Sequence, residues 1–284
     1  MKRVLVAGAT GALGKAVVEY LNGLDGVDVI TTSRGGEMAD YKLDIRDHEE
    51  FARIITLAAP DLILQLAATF SHDFDEAYAI NVEANRQLLE IMQRTQIHIR
   101  ILLVGSAAEY GVLMPEENPV SEDHVLNPVS VYGITKAWQT QLAGLYAGRG
   151  VDVVVARVFN LKGENLSEDL FVGRLRSQID NVLSGQQSVI ELGPLTAYRD
   201  YIAIEDAAKQ IFTVASLGEA GNVYNIGSGK PVQMRELLSS FLEKYEVDPS
   251  VVRELDENPD RKGYDVPVIY ANIDKVLELT SHDA

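Results

Sequence analysis

The sequence predicts an α/β protein: a doubly wound parallel sheet with a smaller α/β lobe toward the C-terminus. Three observations carry this expectation. Short apolar runs alternate with longer segments of helical spacing through the first two-thirds of the 284 residues. The runs are almost continuously apolar rather than alternating, which suits strands covered on both faces. A glycine-rich turn joins the first run to the first helical segment.

Strands are expected at residues 4–7, 27–30, 62–66, 101–104 and 151–155, where branched aliphatic residues dominate. Helices are expected at 13–21, 47–58, 75–92 and 129–146. Strand followed by helix, repeated, implies parallel pairing with right-handed crossovers, and ligands collect at the carboxyl ends of such strands. The last third is less regular: a helix at 168–183, a Gly193-Pro194 turn, a strand at 223–226, a Gly227-Ser228-Gly229 turn and a helix at 234–245. Residues 1–160 and 198–228 are assigned to the sheet domain, 161–197 and 229–284 to the lobe, with 281–284 a frayed end.

Composition removes several classes of function. Hydrophobic residues make up 46% and charged residues 24%, which excludes intrinsic disorder. Twenty-five basic against 42 acidic side chains give a formal charge of -17, a field that repels nucleic acid and anionic lipid. With no cysteine there is no disulfide, cysteinyl metal site or thiol nucleophile. His48, His72, His98, His124 and His282 lack ligand spacing, so no metal is expected. No signal-type leader and no uncharged stretch of membrane-spanning length occur, so a cytoplasmic protein is expected.

The turn is Gly8-Ala9-Thr10-Gly11-Ala12-Leu13-Gly14. Glycines at this spacing permit a tight turn, close approach of backbone N–H groups to a pyrophosphate, and close helix packing, the fingerprint of a Rossmann dinucleotide site. Such sites place a carboxylate at the end of the second strand to hold ribose hydroxyls. Here that strand ends Thr31-Thr32-Ser33-Arg34. A hydroxyl beside a guanidinium suits a 2′-phosphate, so NADP(H) is favoured and NAD(H) remains possible. Asp44, with Ile45 beside it, is a candidate for the adenine amino group.

Tyr132 and Lys136 stand at i and i+4, stacked on one helix face. A fixed ammonium stabilises phenolate and is expected to move the phenol's pKa from its ordinary value near 10 toward neutrality. Ser106, at the end of the fourth strand, points a hydroxyl into the same crevice. These three are the candidate catalytic residues.

In this order the glycine loop, Leu66-Ala67-Ala68, Asn81, Ser106 and the Tyr132/Lys136 pair resemble the extended short-chain dehydrogenase/reductase superfamily, the NAD-dependent epimerase/dehydratase family. Within it the chain is most similar to the GDP-4-keto-6-deoxy-D-mannose reductases, through Ser106 to Gly111, residues 115–122, Arg157-Val158-Phe159-Asn160, Arg199-Asp200-Tyr201 and residues 223–229. The resemblance implies that Leu66, Ala67 and Ala68 line the cofactor and that the C-terminal lobe binds a nucleotide-diphosphate sugar. It implies substrate contacts from Ser106, Asn160, Val172, Arg174, Arg199 and Arg261. The reaction implied is NADPH-dependent reduction of a C4 ketone, with Ser106 steadying the oxygen, Tyr132 donating the proton and Lys136 tuning the phenol.

Related 4,6-dehydratases need an acid and a base just after the serine, where this chain has Ala107 and Ala108. Glu109 is expected to be structural. Related fucose synthases need a cysteine, which is absent. A nucleotide-sugar 4-epimerase with retained NAD is the alternative, a dTDP-linked substrate is the alternative to a GDP-linked one, and a non-catalytic cofactor sensor is remote. A homodimer through the Tyr132 helix and the helix at 75–92 follows by analogy, with Trp138 and Tyr146 as packing residues.

Overall fold

A computed structural model describes residues 2–256 and 266–281. In chain order the elements are β1 (Lys2–Ala7), α1 (Ala12–Asn22), β2 (Val27–Ser33), β3 (Tyr41–Lys42), α2 (His48–Ala58), β4 (Leu62–Gln65) and α3 (Phe74–Ala77). A π turn (Tyr78–Glu83) leads into α4 (Ala84–Thr95), followed by β5 (Arg100–Ser106), α5 (Val131–Ala147), β6 (Val153–Val158), β7 (Asn160–Lys162) and α6 (Phe171–Leu183). The remainder is β8 (Ile190–Leu192), β9 (Tyr198–Ala203), α7 (Ile204–Leu217), β10 (Val223–Ile226), β11 (Pro231–Gln233), α8 (Met234–Lys244), β12 (Val252–Glu254), β13 (Val268–Ile269) and α9 (Asp274–Ser281).

The main sheet is parallel, in the order β10-β6-β5-β4-β1-β2-β3. Strand order reverses between β1 and β4, the crevice where doubly wound sheets bind ligands. Central strands are buried on both sides, as their unbroken apolar runs require. Phe51 and Ile54 of α2, Leu88 and Leu89 of α4 and Ala143 of α5 cover one face. Val17 and Leu21 of α1, Ile211 and Val214 of α7 and Val276 of α9 cover the other.

Three sequence expectations change. The helix expected at 75–92 is interrupted by the π turn, whose wider path buries Asn81. Helix α7 went unread; its N-cap is Ala203, so the usual polar start signal is missing. The end expected to fray from 281 is helical through Ser281, because Val276 packs into the second core. In the lobe, Leu175 and Ile179 of α6, Ile190 and Leu192 of β8 and Leu238 and Leu242 of α8 form a separate core. Two small sheets flank it: β11-β9-β13 with β7 paired to β9, and β12-β8.

Candidate active site

The glycine loop leaves β1 and enters α1 between the carboxyl ends of β2 and β4. Gly8 has φ +86°, and a Cβ there would stand 2.8 Å from the Ala67 nitrogen, so this turn abuts the segment Leu66, Ala67, Ala68. A Cβ on Gly14 would stand 2.2 Å from the Gly8 carbonyl oxygen; that glycine serves helix packing. Gly11 is different. It is the N-cap of α1, without a side-chain cap, and a Cβ there would meet only the Gly8 oxygen, at an ordinary 3.5 Å. The chain's own packing does not require glycine at 11, whereas close approach of a phosphate to the N-termini of Ala12, Leu13 and Gly14 does. Beneath the loop, Thr32 Oγ1 and Gln65 Nε2 are buried with no hydrogen-bond partner, at strand positions flanking Ala7. An open cradle and two orphaned polar atoms at the switch point fit a dinucleotide.

At the end of β2, Ser33 Oγ accepts from Gly36 N (3.0 Å), holding the turn, and Arg34 is exposed. The chain near Thr31 to Arg34 carries no acid, but folding supplies one. Asp40 Oδ2 accepts from Thr31 N (2.8 Å) and Thr31 Oγ1 (2.7 Å). A cavity of ≈ 350 Å³ beside it is lined by Thr10, Lys15, Thr31 and Met38. Asp44 accepts from the Arg46 side chain (2.9 Å from Nε), and that bond holds its carboxyl low, at about 2. Ile45 is buried under it.

Ser106 ends β5, one strand from β4, and accepts from Ala108 N (3.2 Å). Helix α5 starts at Ser130, whose Oγ accepts from Gly133 N (3.0 Å). A Cβ on Gly133 would lie 2.5 Å from the Ala108 oxygen, so glycine lets α5 press against the turn after Ser106 and bring Tyr132 to it. Tyr132 and Ser106 are hydrogen-bonded side chain to side chain. Phe70, which the sequence reading missed, packs on the phenol with ring centroids 4.6 Å apart.

The phenol's pKa shifts opposite to expectation. Burial pushes it above the ordinary value; the Ser106 bond pulls down and the Glu109 charge adds to the rise. Lys136 does not counter this because its charge is engaged elsewhere. Its Nζ donates to Val104 O (2.8 Å) and Gln139 Oε1 (3.0 Å) and lies 6.0 Å from the Tyr132 ring centroid. Burial lowers the ammonium's pKa to about 8. Gln139, also unread in the sequence, donates to Val104 O (3.0 Å) and accepts from Asn85 (3.3 Å). Asn81 ties the π turn to Thr69 and to Thr135 of α5.

Glu109 is structural, as expected: fully buried, it pairs with Arg157 (3.0 Å). Asn160 lies two residues beyond Val158, which is registered opposite Ser106, and donates to Asp200 O (3.1 Å). Arg199 is buried and donates to Tyr198 O (2.8 Å). Asp200 holds the Gly-Ser-Gly turn by accepting from Ser228 N (2.7 Å) and Gly229 N (2.9 Å). In α6, the Val172 side chain is buried with Tyr201 and Leu237, so it fills the lobe's core rather than facing a ligand, and Arg174 is half-buried in the first turn. Arg261 lies outside the described residues. His72 is exposed. Among the described residues no helix is long and apolar enough to cross a membrane.

A model of the NAD dependent epimerase/dehydratase family matches residues 4–227. The chain is 24% identical over 260 residues to the GDP-6-deoxy-D-mannose reductase of Pseudomonas aeruginosa, spanning 89% of this chain and 83% of that protein. It is 28% identical over 285 residues to the dTDP-glucose 4,6-dehydratase of Streptomyces griseus, spanning 92% and 83%. Among solved structures, RMD from Pseudomonas aeruginosa with NADPH superposes with TM-score 0.86 at 21% identity, covering 99% of this chain and 93% of that one; at this identity the likeness carries the fold. UDP-glucose 4-epimerases also match.

Proposed function

The chain belongs to the NAD dependent epimerase/dehydratase family and is thus an NAD(P)-dependent enzyme acting on nucleotide sugars; from that premise we propose that it reduces the C4 ketone of a nucleotide-linked 4-keto-6-deoxyhexose, most simply GDP-4-keto-6-deoxy-D-mannose. The observation that carries the reading is the hydrogen-bonded Ser106/Tyr132 pair at the carboxyl edge of the sheet, followed by Ala107 and Ala108 where elimination of water needs an acid and a base.

Bound across the glycine loop, a reduced nicotinamide dinucleotide would supply hydride. The chain's own residues do the rest. Backbone N–H groups at the start of α1 hold the pyrophosphate, and Arg34 with Ser33 meets a 2′-phosphate, which favours NADP(H). Ser106 donates to the ketone oxygen and orients it. Tyr132, kept protonated by burial, gives its proton to that oxygen as negative charge grows there. Lys136, protonated below about pH 8, keeps positive charge behind the phenol. Asn160, Arg174, Arg199 and Arg261 are assigned to the nucleotide-sugar diphosphate and base. In this reading residues 1–160 and 198–228 bind the dinucleotide, and 161–197 and 229–284 the sugar nucleotide, in a cytoplasmic homodimer. The exposed aromatic patch of Phe74, Tyr78 and Trp138 supports the dimer.

A 4-epimerase with retained NAD is the second reading, favoured by Asp40, a carboxylate near the end of β2 suited to ribose hydroxyls. The deciding assay follows loss of nicotinamide absorbance with NADPH and GDP-, dTDP- or UDP-linked 4-keto-6-deoxy sugars. No consumption, with interconversion of UDP-glucose and UDP-galactose, selects the epimerase. Tyr132→Phe is expected to abolish turnover and retain NADPH binding; an active variant removes Tyr132 as the acid.

A further inference from the structure

We propose that Glu109 is a positioning residue of this site, fixing Ser106 through one carboxylate oxygen, tying α5 to β6 through the other, and setting a buried negative charge behind Tyr132 and Lys136. The inference rests on the reading above for the roles of those two residues. Glu109 follows Ser106 by three residues, and its Oε1 accepts from Ser106 N (2.7 Å). That oxygen lies so close under the strand end that a Cβ on Gly105 would stand 2.5 Å from it. Oε2 accepts from Thr140 Oγ1 (2.8 Å), one turn beyond Lys136 on α5, and from Arg157 Nε (3.0 Å) on β6. One buried carboxylate thus joins the three elements that must keep register for Ser106 to meet Tyr132.

The groups facing it are few. Arg157 from β6 neutralises it, stacks over Tyr110 (4.6 Å) and donates to Glu122 O (3.3 Å). Tyr110 is turned to Asn225 of β10 (2.7 Å), and the Glu122 carboxylate accepts from Asn225 N (2.8 Å). From α5 the facing groups are Thr140, Lys136 and Tyr132. Glu109's charge raises the pKa of both Tyr132 and Lys136, opposing the burial that lowers Lys136 to about 8. Both shifts favour the protonated forms that reduction needs.

The test compares wild type with Glu109→Gln and with Glu109→Gln/Arg157→Met, which removes the charge without leaving Arg157 buried and unpaired. Lys136 is titrated through its ¹³Cε resonance, assigned by its loss in Lys136→Met, with neither substrate nor cofactor present. The midpoint is expected to fall by about one pH unit in both variants, the effect of one near charge at an effective dielectric of about 20. The alkaline limb of NADPH-dependent reduction of GDP-4-keto-6-deoxy-D-mannose should fall with it. A merely structural glutamate would lower stability or kcat and leave the midpoint in place. An unmoved midpoint in a folded variant overturns the proposal, and if the single variant does not fold, the double variant decides. Because the Lys136 titration needs no turnover, its failure is separate from failure of the reductase reading, which Tyr132→Phe tests.

Discussion

Gly133→Ala sets two effects of similar size against each other. Alanine is the better helix former by about 1 kcal/mol in a helix interior, so propensity alone predicts stabilisation. The added methyl, however, would lie 2.5 Å from the Ala108 oxygen and 3.1 Å from Pro128 Cβ. Ordinary contact begins at 3.4 Å, so α5 and the turn after Ser106 must separate by about 0.9 Å. Overpacking of this kind costs about 1–3 kcal/mol and outweighs the propensity gain. The larger consequence is geometric, since Tyr132 precedes this glycine and Ser106 precedes this turn. A displacement near 1 Å is expected to reduce kcat about 100-fold, while NADPH binding, seated on α1, changes little. Gly144→Ala is the internal control: same helix, nothing within 4 Å of the new Cβ, and an expected gain of about 0.5–1 kcal/mol with unchanged kcat. Chemical denaturation and steady-state kinetics on both variants decide the matter. Wild-type kcat in Gly133→Ala, or equal damage in Gly144→Ala, would refute close approach at Gly133 as the reason for glycine there.

Lys136→Met should abolish turnover yet raise the thermal midpoint of the free chain at pH 7. Between pH 8 and the ordinary lysine pKa of 10.5 the unfolded chain binds more protons than the folded one, so wild-type stability rises with pH there and the burial penalty is fully present below about 8. The gain should therefore shrink by pH 10; Val104 O and Gln139 Oε1 keep Gln139 Nε2 and Asn85 as partners. Arg34→Ala is expected to weaken NADPH about tenfold or more and NADH hardly at all, measured by fluorescence titration; equal loss for both would assign the 2′-phosphate elsewhere. Trp138→Glu puts a charge into the Phe74/Tyr78/Trp138 patch and should convert a dimer to monomers in sedimentation, whereas an unchanged mass would move the interface off this face.

The local pattern carried much of the outcome. Unbroken apolar runs announced buried parallel strands, and the Gly8 to Gly14 spacing announced a phosphate loop, because strand burial and tight turns are short-range demands written in adjacent residues. The i and i+4 spacing of Tyr132 and Lys136 likewise follows from helix geometry alone. Helix α7 was illegible for the complementary reason, that Ala203 offers no cap and packing against β6 and β10 holds it in place.

What tertiary structure decided are the relations between residues far apart in the chain. Asp40 reaches Thr31 across a loop, Gln139 captures Lys136 with the Val104 carbonyl, and Glu109 bridges β5, α5 and β6. The direction of the Tyr132 shift depended on these relations. A lysine one turn away promises a lowered phenol pKa, but burial and the placement of charge set the sign, and both arise only when the sheet, α5 and the turn after Ser106 close on one another.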